Sequence, residues 1–252
     1  MKRILEVCVD SLASARNAIA GGADRLELCS ALAVGGLTPY IALLKQIRRE
    51  SNIPIRCLMR PRSGDFFYTA HELDLLREQI TELKQAGADG FVIGCLLPDG
   101  MLDKLAMKHL MQACGGNVTL HRCIDVSANP ERTYRDAMEL GIDTVLTSGC
   151  APSCLSGTET IKKLIALRDS LNGPEVLIGA GVNASVIAQL RNEIPSARAF
   201  HMSGKVNIPS AMRFRREGVP MGLPGLDEWH IQQTDTDAVA AARKVLDEHC
   251  LI

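Results

Sequence analysis

Gly22-Ala23-Asp24-Arg25-Leu26-Glu27-Leu28-Cys29 ends one element and begins another. The glycine supplies a left-handed helix stop. The residues after Asp24 alternate polar with apolar, the period of a strand. The same joint returns at Gly87-Ala88-Asp89 and at Gly141-Ile142-Asp143, each followed soon by a hydrophobic strand. A recurring helix-to-strand joint marks repeated βα units, and strands alternating with helices imply a parallel sheet.

Eight such units are read along the chain. Strands are expected at 4–10, 25–29, 55–60, 90–94, 118–122, 144–147, 175–178 and 199–202. Helices are expected at 14–21, from Thr38-Pro39 onward, and at 72–85, 103–113, 130–140, 157–171, 184–194 and 237–249. Eight units in 252 residues predict one α/β domain spanning 1–252, a (β/α)8 TIM barrel of parallel strands. The alternative is an open doubly wound sheet. It would carry G-x-G-x-x-G after strand 1, where Asp10-Ser11-Leu12 stands instead. Residues 204–236 break the rhythm. They hold Pro209, Pro220, Gly222, Pro224, Gly225 and the only tryptophan, Trp229. They are read as a long loop before the last helix, either over the barrel mouth or at a subunit contact.

The composition is globular, with 46% hydrophobic residues, enough for a large core. A net charge of -1 leaves no basic footprint for nucleic acid or an acidic membrane. Met1-Lys2-Arg3-Ile4-Leu5-Glu6 runs straight into a strand pattern without the apolar segment of a secretory signal. No apolar run reaches membrane-spanning length. The expected compartment is the cytoplasm. Nine cysteines, an odd number at irregular spacings without C-x-x-C, are read as thiols, mostly in the core.

Chemistry concentrates in Cys57-Leu58-Met59-Arg60-Pro61-Arg62-Ser63-Gly64-Asp65, a strand running into two arginines. Residues two apart on a strand share a face, so Arg60 and Arg62 are expected side by side. Such a pair repels itself unless an anion or buried carboxylates lie between. Parity extends the polar face. Leu5, Val7, Val9, Leu26 and Leu28 should face the helices. Glu6, Cys8, Asp10, Arg25, Glu27, Cys29, Thr119, His121, His201 and Ser203 should then point inward. Barrel interiors are usually branched and apolar, and buried ions persist only when paired. A structural salt network and a functional pocket both meet that demand. Barrel active sites lie at strand C-termini, which favours the pocket.

His121 is a candidate general acid or base, with Glu27 or Asp125 tuning it. Glu6, Arg25, Arg60, Arg62, Arg122 and His201 are candidates for binding an anionic substrate. So are Thr147, Ser148, Gly179, Gly181 and Ser203 at later strand ends, where this fold often binds phosphate.

Several of these stretches together resemble one family. They are Leu5-Glu6-Val7-Cys8-Val9-Asp10, the Gly22–Cys29 stretch, Gly35-Gly36-Leu37-Thr38-Pro39, Met59–Phe66, His121-Arg122 with Asp125, and Leu146-Thr147-Ser148-Gly149. In this order they resemble the CutC copper-homeostasis family over nearly the whole chain. The resemblance implies a TIM barrel, a cytosolic location, homo-oligomers and a part in copper handling with Cu(I) binding. In eukaryotic members two cysteines on strands 1 and 2 are the proposed copper ligands; the matching residues are Cys8 and Cys29. Two positions depart from the family: Ser63 replaces a frequent second glycine, and Cys123-Ile124 a frequent Ala-Phe. Cu(I) favours soft thiolates, and Cys8 and Cys29 share parity on strands about 4.8 Å apart. Cys150 and Cys154 form a rival pair in a loop. Two functions follow: a Cu(I)-binding homeostasis protein, or a barrel enzyme of lyase, isomerase or hydrolase type. The enzyme would act on a small carboxylate- or phosphate-bearing metabolite, with Arg60 and Arg62 clamping the anion and His121 moving a proton.

Overall fold

The computed structural model describes residues 3–248 except 217, 220, 223, 224 and 226. Its eight parallel strands are β1 (Ile4–Val9), β2 (Arg25–Leu28), β3 (Ile55–Leu58), β4 (Gly90–Ile93), β5 (Asn117–Leu120), β6 (Thr144–Thr147), β7 (Glu175–Ile178) and β8 (Ala199–Met202). They follow sequence order around a closed barrel, β1 pairing with both β2 and β8. The chain is therefore a (β/α)8 barrel, and the open sheet is excluded. The helices are α1 (Leu12–Ala20), α2 (Ile41–Glu50), α3 (Ala70–Gln85), α4 (Lys104–Cys114), α5 (Pro130–Glu139), α6 (Thr158–Leu171), α7 (Ala184–Glu193) and α8 (Thr236–Asp247). The last helix was expected to reach His249, which lies outside the described residues. No helix among those described is long and apolar enough to cross a membrane.

The three repeated joints share one construction. Gly22, Gly87 and Gly141 take φ of +88°, +102° and +78°, a region costly for residues with a Cβ. Two backbone bonds then close each helix: Gly22 N–H and Ala23 N–H donate to the carbonyls of Ile19 and Ala18, and the other two joints repeat this. The aspartate that follows reaches back one strand. Asp24 accepts from Leu5 N–H at 2.8 Å, Asp89 from Ile55 N–H at 2.8 Å and Asp143 from Val118 N–H at 2.6 Å. Each also meets an arginine: Arg243, Arg48 and Arg56 respectively. The joint thus anchors the strand before it as well as starting the next.

The outward faces of the strands build the main core. Leu5, Val7, Val9, Leu26 and Leu28 are fully buried against helix residues such as Leu44, Leu76, Ile80 and Leu190. Inside the barrel, among the described residues, two small apolar clusters form, Cys29–Leu58–Val92 and Leu146–Leu177–Ala199. Charged groups fill much of the rest. Arg56, which shares its strand face with Arg60, donates to Thr119 Oγ1 at 2.6 Å and Thr144 Oγ1 at 3.1 Å. It pairs with Asp143 at 2.7 Å and closes the lower interior.

Residues 204–236 are not the irregular loop expected. β9 (Lys205–Pro209) and β10 (His230–Thr234) form an antiparallel ribbon outside the barrel. Its base is tied to α1: Thr234 N–H donates to Ser14 Oγ, and Asn17 Nδ2 donates to Thr234 O. All five β9 residues are exposed, so no buried face imposed the alternation by which strands are read.

Candidate functional site

A buried ionic triad lies beneath the mouth of the barrel. In-register pairing sets Glu6 beside both Arg25 on β2 and His201 on β8. Arg25 Nε donates to Glu6 Oε2 at 2.5 Å, and His201 Nδ1 lies 2.8 Å from Glu6 Oε1. Burial pushes the Glu6 carboxyl up, but the Arg25 charge and His201 outweigh it and bring it down to about 2. Glu6 is therefore held as a carboxylate well below its ordinary range.

One step higher, the same three strands present Cys8, Glu27 and His201. The register sets Cys8 opposite Glu27. One ligand-capable atom from each of the three lies within 4.8 Å of the others. Glu27 behaves unlike Glu6: burial is the largest influence and the Glu6 charge adds to it, so its pKa rises to about 7 despite His201 and Arg25. Its Oε1 is buried and has no partner. His201 is shifted up as well: burial opposes its charge, but Cys8, Glu27 and Glu6 outweigh that and raise its pKa. Cys29, expected beside Cys8, gives its thiol to Val9 O at 3.5 Å and packs with Leu58 and Val92.

Above this cluster opens a cavity of about 490 Å³, bordered by Cys8, Glu27, Arg60, His121, Arg122, Asp125, Gly181, His201 and Ser203. Apolar side chains, among them Leu32, Leu58, Phe66 and Val182, complete its wall. Of the sequence candidates, Glu6 and Arg25 lie beneath it rather than on it. Thr147, Ser148 and Gly179 do not border it either; Thr147 and Ser148 hold Asp125, and Gly179 lies against Leu146 and His201.

Arg62 is a correction. β3 ends at Leu58, and the chain turns through Gly64 at φ +95°. Strand parity no longer applies at Arg62, whose guanidinium meets Glu72 at 2.6 Å and Asp65 at 3.0 Å on the outer surface. No Arg60–Arg62 clamp forms. Of the two, Arg60 borders the cavity and Arg62 does not. Arg60 Nη1 donates to the carbonyls of Val34 and Gly36, and its Nη2 to that of Gly64.

His121 is held as a neutral ring. Its Nδ1 accepts the Cys123 N–H at 3.1 Å, which leaves the proton on Nε2. Burial and then the Arg60 charge push its pKa down to about 3. Gly94 makes room for the ring: a Cβ there would lie 2.4 Å from His121 Cε1 and 2.5 Å from Cys123 Sγ. Gly94→Ala is accordingly expected to cost about 1–3 kcal/mol by overpacking. A urea midpoint equal to the native one would contradict this.

Asp125 is the hub of the opposite wall. It accepts from Thr147 Oγ1, from Ser148 N–H and Oγ, and from Cys150 N–H, and it pairs with Arg122 at 2.7 Å. Phe66, not singled out from the sequence, packs against His121 at 4.7 Å between centroids and under the Arg60 guanidinium at 5.3 Å. Arg56 was missed as well, though its parity with Arg60 marked it as inward.

Comparison with known proteins agrees with this architecture. The CutC family profile matches residues 3–206. A CutC family protein of Vibrio campbellii is 40% identical over 95% of this chain and 97% of its own length. One from Chromobacterium violaceum is 38% identical over 98% of this chain and its full length. Among solved structures, a CutC from Streptococcus agalactiae, provisionally assigned to copper homeostasis, superposes with a TM-score of 0.74 at 26% identity. It covers 80% of this chain and 98% of its own. A thiamine phosphate pyrophosphorylase from Pyrococcus furiosus shares the fold alone, at TM-score 0.53 and 15% identity. With the family profile and full-length relatives in agreement, the chain belongs to the CutC family.

Proposed function

We propose that this protein handles copper, binding Cu(I) at the mouth of the barrel through Cys8 and His201, with Glu27 beside them. The observation that carries the reading is the convergence of a thiol, an imidazole and a carboxyl within 4.8 Å on three adjoining strands. Thiolate and imidazole are donors that suit copper, and sulfur favours its reduced state. The unpartnered Glu27 Oε1 marks a place where a bound species would complete the coordination or hydrogen bonding. The assignment of the Streptococcus agalactiae relative points the same way. Cys29, packed with Leu58 and Val92, is given no ligand role in this reading. A cytoplasmic location and self-association, both implied by the family resemblance, are part of this reading. The ribbon's exposed Ile208 and Ile231 offer a surface for self-association.

Anaerobic Cu(I) titration against a competing chelator tests the site. One Cu(I) per chain is expected. Cys8→Ser should weaken it by more than the roughly 10–100-fold typical of losing an outer-shell partner, and Cys29→Ser by less. Unchanged stoichiometry and affinity in Cys8→Ser would end the assignment.

A second reading, a lyase, isomerase or hydrolase acting on a small anionic metabolite, is favoured by a different observation. Glu27 Oε1, Arg60 Nε and His121 Nε2, all from residues bordering the cavity, are buried without partners. Native proteins pair the large majority of buried side-chain polar atoms, and exceptions call for a partner such as a bound ligand.

A further inference from the structure

We propose that Arg60 and His121 form a subsite for one anionic oxygen group, a carboxylate or phosphoryl, on the β3–β5 side of the cavity. The proposal rests on the enzymatic reading of the cavity and deepens it by naming what is anchored and where.

Arg60 is 9% exposed, yet no carboxylate among the described residues pairs with it. A buried guanidinium with no counter-charge is costly to keep. Three backbone carbonyls fix its plane but carry no net charge to neutralise it. A guanidinium has five N–H donors, and the three bonds to Val34, Gly36 and Gly64 leave Nε–H and one Nη2–H. Nε is buried and unpartnered. The main chain of Arg60 is also pinned, its N–H donating to Thr38 Oγ1 at 3.1 Å. The donor fork is therefore positioned before any ligand arrives.

His121 adds a donor of a different kind. The Cys123 N–H on Nδ1 leaves Nε2–H as a neutral donor, also buried and unpartnered. Its lowered pKa means the ring does not compete with Arg60 for charge. Phe66 touches both groups and shields that side from water, which strengthens their hold on an anion. Cys8, Glu27 and His201 stand on β1, β2 and β8. A ligand anchored by Arg60 and His121 would thus extend its remaining atoms toward Glu27.

This changes the role of His121 from proton carrier to hydrogen-bond donor, and replaces Arg62 with His121 as the partner of Arg60. Calorimetric titration with inorganic phosphate and, separately, with malonate tests it on the native chain. One site per chain is expected for at least one probe. Phosphate alone would assign a phosphoryl group, malonate alone a carboxylate. Arg60→Gln and His121→Phe should each weaken binding by roughly tenfold or more. Should Arg60→Gln not fold by circular dichroism, His121→Phe, which keeps a ring against Phe66, carries the test. Failure of both probes to bind the native protein, or native affinity in a folded variant, would overturn the subsite. The titration reads binding without turnover. A protein that binds the probe but transforms no metabolite removes only the enzymatic reading.

Discussion

Arg25→Met is expected to cost about 3–5 kcal/mol of stability at neutral pH, the range for breaking one side of a buried ion pair. Glu6 is 0% exposed, and Arg25 Nε donates to it at 2.5 Å. Methionine fills much of the same space, so the loss comes from the stranded carboxylate rather than from a void. Its pH dependence has a definite sign. Glu6 sits at about 2 in the fold against an ordinary 4.5. A depressed carboxyl contributes stability fully above pH 4.5, and that stability is lost as pH falls through about 2. At about 1.4 kcal/mol per unit, this amounts to roughly 3 kcal/mol. In Arg25→Met the upward push of burial meets only His201, so acid unfolding should begin at higher pH. Guanidinium denaturation from pH 3 to 7 measures both effects. A loss under about 1 kcal/mol at pH 7, with an unchanged acid limb, would show the pair to be energetically idle. Glu6→Leu combined with Arg25→Met should recover much of the loss, because replacing both partners of a buried pair is often near neutral.

Alternation along β1, β2 and β8 made this network legible in the sequence. Glu6, Glu27 and His201 follow from parity once the barrel is closed, because closure makes β8 a neighbour of β1. The copper-side grouping of Cys8 with Glu27 needed register as well, and one sequence does not supply it. Arg62 was misread for a related reason. Parity holds only while the chain stays extended, and Pro61 with the turn at Gly64 ends that two residues past β3. Cys29 keeps its inward parity, but its thiol is taken up by Val9 O and apolar neighbours. The ribbon escaped notice because its strands lie on the surface and pair across an intervening stretch of twenty residues, 210–229. The position of Asp125 was evident, but its task was not. Its partners arrive with the end of β6, 22–25 residues later.

That distant anchoring underlies the second large effect. Asp125→Ala is expected to cost about 3–5 kcal/mol, since it removes the acceptor of several donors at once, those of Thr147 and Ser148 partly buried. Thr147 Oγ1 at 2.5 Å, Ser148 N–H at 2.9 Å and Cys150 N–H at 3.2 Å would all lose their acceptor. Arg122 would lose its counter-charge at 2.7 Å. The carboxylate also holds Cys150 at φ +60°, a left-handed conformation that a residue with a Cβ keeps only when its surroundings enforce it. With Asp125 gone, this segment should relax, and two measurements should move together. The denaturation midpoint should fall, and the exposed Cys150 thiol should react faster with a maleimide probe under native conditions. Asp125→Asn keeps the side chain's shape but removes the charge and one acceptor oxygen. It should show the same changes at reduced size, which separates the charge from the volume. If Asp125→Ala stays within about 1 kcal/mol of the native protein and Cys150 reactivity does not change, the hydrogen bonds converging on Asp125 do not hold this wall. Arg122 and the far side of the cavity would then be positioned by packing alone.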